Sequence, residues 1–156
     1  MTIIDALRLY LTGGADDATG ETATQLAGLT ALRAITTAVY WIEMPRGTNP
    51  PCIVFSRINA ARPMTADGPS GLANPRFQFT CVGTTQTQAE TMAEALRKSL
   101  DGYRGVISEG AAPNTQTITV LGAFLADDAD EPTTRADLET ADLPAMRLDF
   151  TVWHRE

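Results

Sequence analysis

One histidine and two cysteines are the only imidazole and thiol groups in the sequence. His154 stands beside Trp153 and Arg155 near the end of the chain. A general base needs a partner and a pocket, so a histidine at a strand end reads as a surface or interface residue. Cys52 and Cys81 both fall inside predicted strands and read as buried free thiols rather than a disulfide. Together these three residues make a zinc site improbable. Ser56, Ser70, Ser99 and Ser108 lack any G-x-S-x-G context, and neither a P-loop nor G-x-G-x-x-G occurs. The expectation is no catalytic residue, no metal and no cofactor.

Long apolar runs are missing too. No stretch of 18 apolar residues occurs, so no transmembrane helix is expected. The start, MTIIDALRLYLTGG, is too short and lacks the basic region of a signal peptide. A soluble chain made in a cytoplasm is expected. Clustered Lys and Arg, which nucleic-acid wrapping requires, are absent as well.

What is present is acid, concentrated in one place. The 156 residues carry −7. Asp127 to Asp142 alone carries −6, from seven acids and Arg135, which leaves −1 for the rest. The spacing fails the calcium-loop pattern, with no central glycine and no closing glutamate. The segment reads as a solvated loop; docking against a basic partner surface, or repulsion of DNA phosphates, is the other reading.

The 44% hydrophobic content is enough for one core. Helices are expected at Thr2–Leu11 and about Thr22–Ile35, the latter with Leu26, Leu29 and Leu32 inward and Gly28 inside it. Ala38–Met44 and Cys52–Asn59 read as strands around a proline-rich loop. Residues 60–74 form a long connection with two prolines and two glycines, expected to be functional or mobile. The clearest unit is Asn74–Gly105. Alternation in RFQFTCV marks a strand, and Ala89, Met92, Ala93, Leu96 and Leu100 make a helical stripe. Thr87-x-x-Glu90 matches a capping box, Glu94 can pair Lys98, and Gly102 closes the helix.

Val106–Asn114 reads as an irregular connection. Thr115–Ala126 alternates with Ile118, Val120 and Phe124 on one face, and Gly122 could mark a bulge. In Leu143–Arg155, Met146, Leu148, Phe150 and Val152 face one way; Arg147, Asp149, Thr151 and Trp153 face the other. Trp153 faces either a neighbouring subunit or a helix of its own chain. The element order lacks strict βαβ alternation. It predicts an α+β fold: a mixed, mostly antiparallel sheet of about five to six strands, flanked by two to three helices, in a single domain. Residues 1–37 form a helical N-terminal part, and 38–156 hold the sheet and a helix at 86–101.

Four stretches, after a helical N-terminus, carry a resemblance. They are V-Y-x-I-x-x-P-x-G-x-x-P-P-x-I-V-F-x-R-I (Val39 to Ile58), R-F-Q-F-T-C-V (Arg76 to Val82), A-E-x-M-A-E-A-L-R-x-x-L-D-G-Y-x-G (Ala89 to Gly105) and P-x-M-R-L-D-F-T-V-W-H-R-E (Pro144 to Glu156). Together they resemble the tail-terminator, or tail-completion, family of long-tailed bacteriophages, prophages and gene-transfer particles. The segment before Val39 and the acidic segment are both longer than that pattern. The resemblance implies a virion structural protein at the tail–neck junction, assembled in the host cytoplasm. It implies a homo-hexameric ring that caps the tube of the major tail tube protein and joins the head connector or stopper protein. Genome DNA would pass the lumen without specific binding, and no membrane is involved. A cyclic ring needs two different faces of each subunit to meet. The candidate contact residues are Arg62, Met64, Asp67, Arg135, Arg147, Asp149, Trp153 and Arg155. A head-closure or connector-adaptor protein is the neighbouring alternative; a small-molecule-binding α+β domain is the alternative of another class.

Overall fold

The computed structural model describes residues 1–15, 17–110, 113–130 and 143–155. The elements are α1 (Ile3–Thr12), β1 (Asp17–Thr19), α2 (Ala23–Ile35), β2 (Ala38–Trp41), β3 (Cys52–Asn59), β4 (Met64–Thr65), β5 (Gly68–Pro69), β6 (Leu72–Ala73), β7 (Arg76–Val82), α3 (Gln86–Leu100), β8 (Gly105–Glu109), β9 (Gln116–Asp130) and β10 (Ala145–Arg155). Seven strands run in the order β1-β8-β9-β10-β7-β3-β2, and β6 adds to the end of β10. Every pairing is antiparallel except β2 with β3. The architecture is the expected α+β mixed sheet with three helices. Its eight strands exceed the five to six expected, because β1, β6 and β8 are short and carry little alternation to read.

The core lies between the sheet and the helices. Phe55, Phe77, Phe79 and Phe150 are fully buried and meet edge-on or stacked, Phe55 and Phe79 at 5.2 Å and Phe79 and Phe150 at 5.8 Å. Met92, Leu96 and Leu100 of α3 complete the same cluster with Leu7, Tyr10 and Leu11 of α1. Tyr10 lies 4.5 Å from Tyr103 and donates its hydroxyl proton to the Ser99 carbonyl. The second helix packs on the third through Gly28. A Cβ there would stand 2.8 Å from the Ser99 nitrogen and 3.0 Å from the Ala95 carbonyl oxygen, so only glycine lets the two backbones approach this closely.

Several local expectations are corrected. The α3 cap is Thr85, whose hydroxyl accepts from the Gln88 amide; Thr87 is already the second residue of the helix, so the predicted Thr87–Glu90 box does not form. The expected Glu94–Lys98 pair does form, at 3.4 Å, and Arg97 binds the same carboxylate more closely at 2.7 Å; its guanidinium holds that carboxyl down at about 2. Leu26 is exposed rather than inward. The GGADDATGE stretch and the 106–114 connection are not wholly loop, since β1 pairs with β8. The 60–74 connection holds a hairpin, β4 with β5, and the edge strand β6. The acidic run does not begin as a loop either: Asp127 to Asp130 continue β9, paired with β10. The remainder of that run lies outside the described residues.

The faces of β9 also differ from the expected alternation. Trp153 pairs with Gly122 but His154 with Val120, so Leu121 is an extra residue. Such a bulge reverses the in–out alternation beyond it. Val120 and Ala123 therefore face the core, while Phe124 is turned out and 52% exposed. Its ring lies against Gly122, where a Cβ would come within 2.6 Å of it. His154, expected at the surface, is 6% exposed.

Candidate contact surface

The second face of the sheet is polar. In register across β3, β7, β10 and β9 stand Ser56, Gln78, Asp149 and Asp127. The next rows bring Arg76 opposite Thr151 and Arg147 opposite Thr80. These are the outward positions that strand alternation assigns. An ion-pair network joins them. Arg76 donates to Asp149 at 2.7 Å, Arg147 approaches the other Asp149 oxygen at 3.8 Å, and Arg147 meets Asp127 at 3.4 Å. The guanidinium stems lie over the strand, so Asp149 is only 4% exposed although it sits on the face turned away from the helices.

One end of this face is apolar: Cys52, Val82 and Ala145 are covered by Tyr40, Met44 and Leu143. Cys52 therefore points away from the helices, whereas the neighbouring Cys81 belongs to the aromatic core. The two thiols lie on opposite faces of adjacent strands, and both are free, as expected. Burial pushes the Cys81 thiol well above its usual range, which keeps it protonated and inert. At the other end Trp153 is half-buried beside the exposed Phe124.

The expected contact residues fall into separate groups. Arg147, Asp149 and Trp153 share the polar face, where Asp149 is enclosed by its arginines rather than exposed. Met64, 76% exposed, and Asp67 lie on the β4–β5 hairpin. Arg62 and Arg155 line a cleft at the far end of β10. Arg135 is outside the described residues. Sequence reasoning missed Arg76, Asp127, Arg57 and Phe124. The alternation of RFQFT placed Arg76 outward, but only the register shows that Asp149 is its partner. Among the described residues, no group of three His, Cys, Asp or Glu side chains is placed to hold a metal ion.

These features describe a two-layer α+β protein with a polar, ion-paired sheet face and a short hairpin. The model of the family described as "Tail completion protein gp17" matches residues 23–141, most of the chain, and the chain belongs to that family. It is thus a structural protein of a bacteriophage-type tail. In fold it is similar to a chain of the "Virion of native gene transfer agent (GTA) particle", with a TM-score of 0.54 and 20% identity. That overlay covers 92% of this chain and 96% of the other. Among curated proteins the sequence finds no match.

Proposed function

We propose that the protein is a tail terminator: a ring-forming, non-enzymatic component that caps the completed tail tube at its head-proximal end and joins it to the head connector. The observation that carries this reading is the family match over residues 23–141, which takes in α2, α3 and the strands from β2 to β9. A capping ring must be rigid in its body and adhesive at its rim. The helix-backed aromatic core supplies the rigidity. The β4–β5 hairpin, with Met64 at its surface, and the Trp153–Phe124 end of the sheet supply exposed contact area. The near-neutral body suits passage of DNA without retention. Tube protein polymerised with and without this chain tests the reading. Tubes blocked at one end by a ring of density are the expected result. Tubes that elongate unchecked, with no protein at either end, would overturn it.

A further inference from the structure

Both arginines at the centre of the polar sheet face are held by aspartates. In the rows that cross β10 from Arg147 to Thr151, the charged outward positions are Arg76, Arg147, Asp127 and Asp149. The two signs balance. Arg76 meets Asp149 at 2.7 Å, Arg147 meets Asp127 at 3.4 Å, and the Asp149 side chain is 5% exposed beneath them. Around them stand neutral hydrogen-bonding side chains, Ser56, Gln78 and Thr80. Arg155, past Trp153, lies beyond these rows beside Leu72 of β6, and Glu156 follows it in the sequence.

Such pairing is not general in the molecule. Arg8 on α1, Arg46 after β2 and Arg104 after α3 are exposed, and among the described residues no carboxylate lies within ion-pair distance of them. An exposed arginine needs no partner. Enclosing Asp149 under two guanidiniums costs desolvation, and its effect is a hydrophilic face whose cations are already occupied. Apolar anchors mark the centre of an ordinary protein–protein contact. Here the exposed ones, Phe124 on β9 and Ile58 on β3, stand at the two margins instead.

We propose that this face lines the channel of the ring and is the surface past which duplex DNA slides. This rests on the ring reading above and names the wall that the duplex meets. Free Lys and Arg hold DNA by displacing counterions from its phosphates. Arg76 and Arg147 cannot do so while Asp149 and Asp127 hold them. The hydroxyl and amide groups between them keep the wall wet, and the helices, on the other side of the sheet, stiffen it from behind.

The test uses the topology of the DNA. Two variants of the full chain free cations on this face. Asp127→Asn with Asp149→Asn releases the two arginines. Ser56→Arg with Thr80→Arg adds two cations and leaves both ion pairs in place, so it decides alone if the first variant fails to fold. Preformed rings, free or on tail tubes, are mixed with a linear duplex and with the same duplex closed into a circle. The parent ring retains neither. Each variant ring is expected to hold the linear duplex about tenfold more tightly than the parent, with a steeper salt dependence. It does not hold the circle, which cannot thread a closed channel. Equal retention of both forms puts the face outside the ring and overturns the proposal. Variant rings that hold neither form overturn it too. Variants with the parent's thermal unfolding that no longer assemble make the face a subunit contact, which also overturns it. All three outcomes leave the ring reading intact. A parent chain that forms no ring, free or on tubes, overturns both.

Discussion

The two faces of the sheet are made from the same strands and differ in almost every physical respect. Toward the helices, Phe55, Phe77, Phe79, Leu148, Phe150 and Val152 are buried at 1% or less. On the other face the same strands present Ser56, Gln78, Arg76, Arg147 and Asp149. Non-directional burial stabilises the first face; charges arranged in register organise the second. The contrast separates two jobs. The helix-covered face makes the fold stiff, and the polar face avoids presenting a large apolar sheet to aggregation.

The largest break in that contrast should come from the covered face. Phe79→Ala is expected to cost about 3–5 kcal/mol in denaturant-measured stability, and Leu96→Ala about 2–5 kcal/mol. A loss below 1 kcal/mol at both sites would mean the helices do not pack on this face as described. Gly28→Ala should cost about 1–3 kcal/mol by forcing α2 off α3. It tests whether the covering layer is close-packed, since alanine would otherwise improve a helix interior.

Asp149→Ala removes the shared partner of Arg76 and Arg147 and should cost about 1–3 kcal/mol. An unchanged midpoint would show that the polar face is solvated rather than organised. Thr85→Ala is expected to cost about 1 kcal/mol through loss of the α3 cap, and Thr87→Ala only a few tenths; the reverse order in thermal melts would restore the other cap. Met64→Ala should leave monomer stability within about 0.5 kcal/mol, as befits an exposed side chain. On the proposed terminator reading its effect falls instead on tube-end binding, measured by co-sedimentation with tail tubes. Equal affinity to the parent would remove the hairpin from the contact surface.

Some of this was legible in the chain and some was not. The helical stripe of α3 and the alternation of β7 and β10 are strictly periodic, and both elements appear as read. The hairpin in residues 60–74 was hidden because each of its strands is two residues long. Phe124 and His154 were misplaced for different reasons. Phe124 lies beyond a bulge that inverts a period of two. His154 lies on the inward side of β10 with Val152, where the chain end packs against the cleft lining. Of the candidate contact residues, Met64, Arg62 and Arg155 stand exposed, and Asp149 is enclosed by arginines brought to it from β7 and from its own strand.

Sequence alone determined the elements with strong local periodicity, the absence of a histidine- or cysteine-rich chemistry, and the concentration of acid in one segment. Those properties depend on neighbours a few residues apart, where helix and strand periods and composition act directly. Tertiary structure alone decided which thiol faces the core, which arginines hold Asp149, and that Phe124 is turned out of the core. These depend on register and bulges between distant strands, where a shift of one residue exchanges every side chain between the two faces.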